Sequence, residues 1–205
     1  DTYMRLPGLD ARPSALDAHH LLARRGLLAI AAAAVAPLPT APALASTANL
    51  QDTQYGFTLS YPDDWVAAPK PVKTHLSESL LQSPIKGVSL GVTVDPVRIS
   101  SLRQFGTAEQ VAARVLDTEL TRDGVKDVLL RKVSAEEGEP PYYLIEYLVE
   151  SSRGRKVYLC KYCIYNQKLY VLQAQAKQDT FDAANDASVR ETLAAAVASF
   201  RVLGG

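Results

Sequence analysis

The stretch YYLIEYLVE SSRG RKVYLCKYCIY NQ KLYVLQAQA, Tyr142–Ala176, decides the fold. Its three long runs, 142–150, 155–165 and 168–176, are rich in Tyr, Val, Ile and Leu and read as strands. Ser151-Ser152-Arg153-Gly154 breaks the first pair of runs. Asn166-Gln167 breaks the second as a tight turn, where Asn tolerates a positive φ. Strands joined this closely pair antiparallel, because a parallel pair needs a long crossover. Upstream, 125–134 adds another strand, separated from 142 by Gly138-Glu139-Pro140-Pro141.

Further upstream the pattern turns helical. Thr107-Ala108-Glu109-Gln110 has capping-box spacing, and Val111, Val115 and Leu116 follow on one helical face. Gly124 is the expected stop. Val88, Leu90, Val92 and Val94 alternate as a strand closed by Pro96, and 74–82 is a fainter one. Phe57, Leu59 and Tyr61 form another, ended by the Pro62-Asp63-Asp64 turn, with Trp65 folding back onto the core. A last helix covers 180–199 and begins or restarts at Ser188-Val189-Arg190-Glu191. The sum is an α+β domain: a mostly antiparallel sheet of about six strands, with two helices.

The first 45 residues differ from the rest. Arg24 and Arg25 precede an apolar run from Gly26 to Val35, then come Pro37, Pro39 and Pro42, and Ala43-Leu44-Ala45. This is the layout of a twin-arginine export signal, with cleavage expected between Ala45 and Ser46. The apolar run is too short to span a ~30 Å hydrocarbon core. The long stretch upstream of Arg24 and the start at Asp1 suit the second half of a two-part chloroplast transit peptide whose precursor is truncated, although Asp10 and Asp17 are unusual in such a segment. Residues 46–54 read as a flexible lead and 55–203 as the domain. Four of the 22 basic and three of the 22 acidic residues lie in 1–45, which leaves 18 and 19 and a net charge of −1. That balance argues against nucleic-acid binding.

Several motifs, in order, resemble the PsbP family. Tyr55-Gly56-Phe57-Thr58-Leu59-Ser60-Tyr61-Pro62-Asp63-Asp64-Trp65 is similar to its opening motif. Gly87–Val92 resembles its next strand, and Pro96–Leu116 its loop and helix. Tyr142–Tyr147, Asn166–Tyr170 and Ala198–Val202 resemble its later strand, hairpin and closing segment. The resemblance spans nearly all of 54–203. It implies an α-β-α sandwich in the chloroplast thylakoid lumen, bound peripherally to lumenal subunits of photosystem II or photosystem I and monomeric when free. It also implies a non-catalytic role in oxygen evolution or in photosystem assembly. The founding member helps retain calcium and chloride at the oxygen-evolving complex. Two departures favour a divergent relative over that role. The lead before Tyr55 is short, and 157–163 lacks a histidine.

Candidate chemistry is sparse. Cys160 and Cys163 form a C-x-x-C, the basis of an alternative reading as a thiol-redox protein. On a strand they point to opposite faces with Cα atoms about 10 Å apart, beyond disulfide reach. Asp63, Asp64, Glu136 and Glu137 are the candidate ligands of an ion carrier for calcium or manganese, with calcium the one candidate cofactor. Acidic turns and loops of this kind are more often merely capped or solvated. Arg153, Arg155, Lys156 and Lys161 form a basic hairpin region suited to docking on acidic surfaces. His75 is the only histidine after residue 45 and has no marked partner.

Overall fold

The computed structural model describes residues 46–68, 75–183 and 187–203. The export-signal residues Arg24, Arg25, Ala43 and Ala45 lie outside these. Two sheets form the framework. The smaller comprises β1 (Thr47–Asp52), β2 (Phe57–Pro62) and β10 (Arg201–Val202), in the order β1-β2-β10. The larger has seven strands: β3 (Val66–Ala67), β4 (Ser77–Gln82), β5 (Ser89–Pro96), β6 (Val125–Glu136), β7 (Tyr142–Ser151), β8 (Gly154–Tyr165) and β9 (Lys168–Lys177). Their order is β3-β4-β5-β9-β8-β7-β6, and every pair is antiparallel.

Strand alternation divides the side chains between two cores. Tyr143, Ile145, Tyr147 and Val149 of β7 face α1 (Leu102–Phe105) and α2 (Ala108–Leu120), meeting Leu102, Val111 and Ala112. On the other face, Val157, Cys163, Tyr170, Leu172 and Ala174 pack with β2 and with α3 (Gln178–Asp182) and α4 (Ala187–Ser199). The result is an α-β-α sandwich of the α+β class. Cross-strand partners act as pairs: Tyr147 lies opposite Tyr158, and their rings stack with centroids 5.2 Å apart.

Segments around β2 and β10 close the second core. Phe200 packs 6.0 Å from Phe57 and 6.5 Å from Tyr142, ring centre to ring centre. Such pairs contribute about 0.5–1.5 kcal/mol each beyond their buried area. Val202 N–H donates to Tyr142 Oη at 2.9 Å, and Leu203 N–H to Gly56 O at 2.6 Å. Gly56 has φ 65°, a left-handed conformation that glycine adopts without strain.

Three sequence expectations need correction. Residues 46–54 are not a loose lead, because Thr47–Asp52 pairs along the whole of β2. That strand escaped notice because only Leu50 packs an apolar side chain onto the core. The larger sheet's seven strands agree with the expected mostly antiparallel sheet of about six, the two-residue β3 being too short to show a period. α2 ends at Leu120 with Thr121 as its cap, and Gly124 instead shapes the turn into β6, accepting from Ser152 N–H at 2.8 Å. The final helix is two helices, α3 and α4. The capping box of Thr107 and Gln110 is present with both hydrogen bonds.

Candidate functional site

The β7–β8 hairpin tip carries the proposed basic surface. Arg153 and Arg155 are exposed and Lys156 is half-buried. Arg155 is tied to Glu150, with Nη2 2.6 Å and Nε 2.8 Å from Oε2. Arg153 has no carboxylate at ion-pair distance among the described residues. Lys161 does not belong to this surface. It lies six residues beyond Arg155 along β8 and its side chain is wholly buried.

Lys161 instead anchors an internal charge cluster. Its Nζ stands 2.9 Å from Glu136 Oε2 and 4.6 Å from the centre of the Tyr142 ring. The contact with Glu136 is an ion pair without well-directed hydrogen-bond geometry, so the ammonium is only partly satisfied. Arg201 approaches the same carboxylate oxygen at 3.8 Å and the same ring at 5.8 Å. Desolvation pushes the Lys161 pKa down, and Glu136 opposes that shift. Sequence spacing placed Lys161 near the arginines. Only the pleat and the return of the C-terminal strand show that it is covered.

The candidate ion ligands do not converge. Asp63 accepts from Ser46 Oγ in the turn after β2, and Asp64 is exposed beside it. Glu136 is committed to Lys161 and Arg201. Glu137 pairs with Arg103 at 2.9 Å, and Glu139 with the same guanidinium at 2.8 Å. Among the described residues no three His, Cys, Asp or Glu side chains gather in a metal-binding arrangement. His75 Nδ1 contacts Asp95 Oδ2 at 2.8 Å, a pair of half-buried residues at the end of β5.

Cys160 and Cys163 fall in different cores, on opposite faces of the sheet, as free thiols. Burial pushes each thiol pKa up to about 12. An activated thiol is shifted the other way. Cys160 Sγ lies 3.9 Å from Tyr147 Oη, and that hydroxyl donates to the buried carboxylate of Glu119 at 3.3 Å.

Clefts open on the α4 side. One of about 330 Å³ is lined by Trp65, Ile85, Val88, Val189 and Thr192, with Asp63 and Asp64 at its rim. Another, about 170 Å³, lies between α4 and strands β6–β8. Sequence reasoning missed this cleft and the ion pairs of Arg131 next to its Lys132 and Glu146. A β-bulge between Leu130 and Lys132 presents Arg131 to Asp182 at 2.8 Å and Glu146 at 3.8 Å. A bulge leaves no residue-level signature beyond a skipped beat in alternation.

Comparison with known proteins places this architecture. The PsbP family profile matches residues 45–202. PsbP domain-containing protein 2, chloroplastic, from Arabidopsis thaliana is 30% identical over 155 residues, covering 74% of this chain. The match covers 65% of that relative, just under two thirds of its length. The solution structure of cyanobacterial PsbP (CyanoP) from Synechocystis sp. PCC 6803 superposes with a TM-score of 0.63 at 20% identity, over 82% of this chain and 99% of that one. The Saccharomyces cerevisiae Ran-binding protein Mog1p shares the fold at a TM-score of 0.53 and 12% identity, over 78% of this chain and 97% of its own. The family profile, the Arabidopsis relative and the shared sandwich agree: the chain belongs to the PsbP family.

Proposed function

We propose that this chain is a non-catalytic protein of the chloroplast thylakoid lumen that binds peripherally to a photosystem and supports its assembly or stability. The match to the PsbP family over 45–202 carries this reading, together with the chloroplast relative. The disposition of the polar groups supports it. Glu136 and Glu137 are occupied by Lys161, Arg201 and Arg103, which favours an assembly or stability role over ion retention. The thiols lie on opposite faces with raised pKa values, which gives the redox alternative no support.

The exposed Arg153 and Arg155, with Lys156, form the docking hairpin in this reading. Rim charges act chiefly through steering and are screened by salt. Replacing all three by Glu and following co-migration with thylakoid complexes on native gels tests it. Loss of co-migration is expected. Retained co-migration removes the hairpin from the account, and a protein that joins no thylakoid complex refutes the function.

A further inference from the structure

We propose that the groove between α4 and the β6–β7 end of the larger sheet docks an extended, acidic-apolar segment of a protein partner. This rests on the reading of the chain as a docking protein and names a second surface for it.

The groove arises from uneven coverage of the sheet. α4 lies on β2, β8 and β9, whereas β6 and β7 take their helix, α2, on the opposite face. Apolar floor is therefore left open beside α4. Leu144 and Leu159 are half-buried there, Ala194 and Ala198 are exposed along the helix, and Val197 lies between. Leu129, 57% exposed and paired opposite Leu148, extends the floor beyond the bulge. At about 170 Å³ the cleft is smaller than the ~300–1,000 Å³ usual for small-molecule sites. It has room for side chains entering from a partner.

The rim selects the charge of that partner. Three carboxylates, Glu136, Glu146 and Asp182, face four solvent-accessible cations, Arg131, Lys132, Arg190 and Arg201, besides the buried Lys161. Asp182 is held by Arg131 at 2.8 Å and Arg190 at 2.7 Å, Glu146 by Arg131, and Glu136 by Lys161 and Arg201. Each of these three carboxylates is thus paired. Lys132, exposed on the groove wall, has no carboxylate within 4.0 Å among the described residues. A basic segment would find Glu136, Glu146 and Asp182 already paired, and a purely apolar one would leave Lys132 without a partner. An extended segment points successive side chains to opposite sides. It can set apolar groups into the floor and carboxylates against Lys132 and the outer guanidinium groups.

The test uses the full chain and a fluorescein-labelled peptide alternating Glu and Leu, with one central Pro to keep it extended. A matching Lys-Leu peptide is the control. Fluorescence anisotropy should show binding of the acidic peptide alone, weakening as salt rises. Lys132→Glu should weaken it at least about tenfold. Ala194→Phe, which fills the groove from an exposed position, should abolish it with an unchanged melting temperature. Equal binding of both peptides, or wild-type binding by Ala194→Phe, overturns the proposal. In thylakoid membranes, a photoreactive residue at Ala198 should cross-link to an acidic-apolar stretch identified by mass spectrometry. The same group at Ala113, on the α2 face, should not. Cross-linking from position 153 with none from 198 overturns the groove and leaves the docking function standing. No cross-link from either position, with no co-migration, overturns both.

Discussion

Replacing Glu136 by Gln isolates the energetics of the internal charge cluster. The substitution keeps the side chain's shape and removes the only carboxylate at ion-pair distance from Lys161 among the described residues. The ammonium then sits in a site with no exposure and no well-directed acceptor. Breaking a buried pair from one side costs about 3–5 kcal/mol. Glu136 is itself 38% exposed, so water screens that side and the expected loss is about 2–3 kcal/mol. A ceiling follows from acid–base chemistry. Lys161 can escape by releasing its proton, which at pH 7 costs about 4–5 kcal/mol from the ordinary lysine pKa. At pH 9 that ceiling falls to about 2 kcal/mol.

Three proteins complete the cycle. Lys161→Met removes the buried charge and keeps the volume, and Arg201 remains near Glu136 at 3.8 Å. That change should be neutral or stabilising by about 1–4 kcal/mol. The double variant should match Lys161→Met, giving a coupling of about 2–3 kcal/mol. Thermal and urea unfolding can be followed by fluorescence of Trp65, the one tryptophan in the chain, which is buried. The loss in Glu136→Gln corresponds to a drop of roughly 5–10 °C. The pH dependence supplies the sign. Because the folded lysine pKa is depressed, the unfolded chain binds the extra proton between the folded value and the ordinary one. Stability from this group therefore rises with pH through that window. The advantage of Lys161→Met over wild type should shrink towards pH 10. A Glu136→Gln protein within about 0.5 kcal/mol of wild type at every pH would refute the reasoning.

The two thiols give the opposite slope. Their folded pKa of about 12 lies above the ordinary value of about 8.5, so stability is full below 8.5 and falls as pH rises above it. Native protein at pH 8 should therefore leave both thiols unlabelled by an aromatic disulfide reagent until it unfolds; fast labelling would contradict the burial. Asp182→Asn should cost about 1 kcal/mol at pH 7, and the difference should fade as acid protonates the wild-type carboxyl, whose pKa Arg131 holds down. Thr107→Ala should lower stability by about 1 kcal/mol through loss of the α2 cap, read by urea unfolding. Phe200→Ala should cost about 3–5 kcal/mol, because its ring joins Phe57 to Tyr142 at the centre of the second core.

Legibility in the sequence followed how each feature is encoded. Strands β7 to β9 were readable because apolar and aromatic residues recur on them over ten or more residues. The tight turns at Gly154 and Asn166 announced themselves through residues that accept positive φ. β1 was not readable, because its hydrogen bonds to β2 ask nothing of its side chains beyond Leu50. Lys161 was misread for a related reason. A lysine in a strand signals solvent, and its cover comes from Glu136 at the far end of β6 and from Arg201 on the returning chain.

The same asymmetry separates the two candidate docking surfaces. The hairpin cations are neighbours in sequence, so composition reveals them. The groove is assembled from β6, β7, β8 and α4, which are distant in sequence, and from a bulge that turns Arg131 toward Asp182 fifty-one residues away. If the groove is the principal surface, charge reversal at the hairpin should slow association while leaving the dissociation rate near wild type. Filling the groove by Ala194→Phe should chiefly speed dissociation, because apolar contact and desolvated pairing govern residence time. The reverse pattern would assign the main contact to the hairpin.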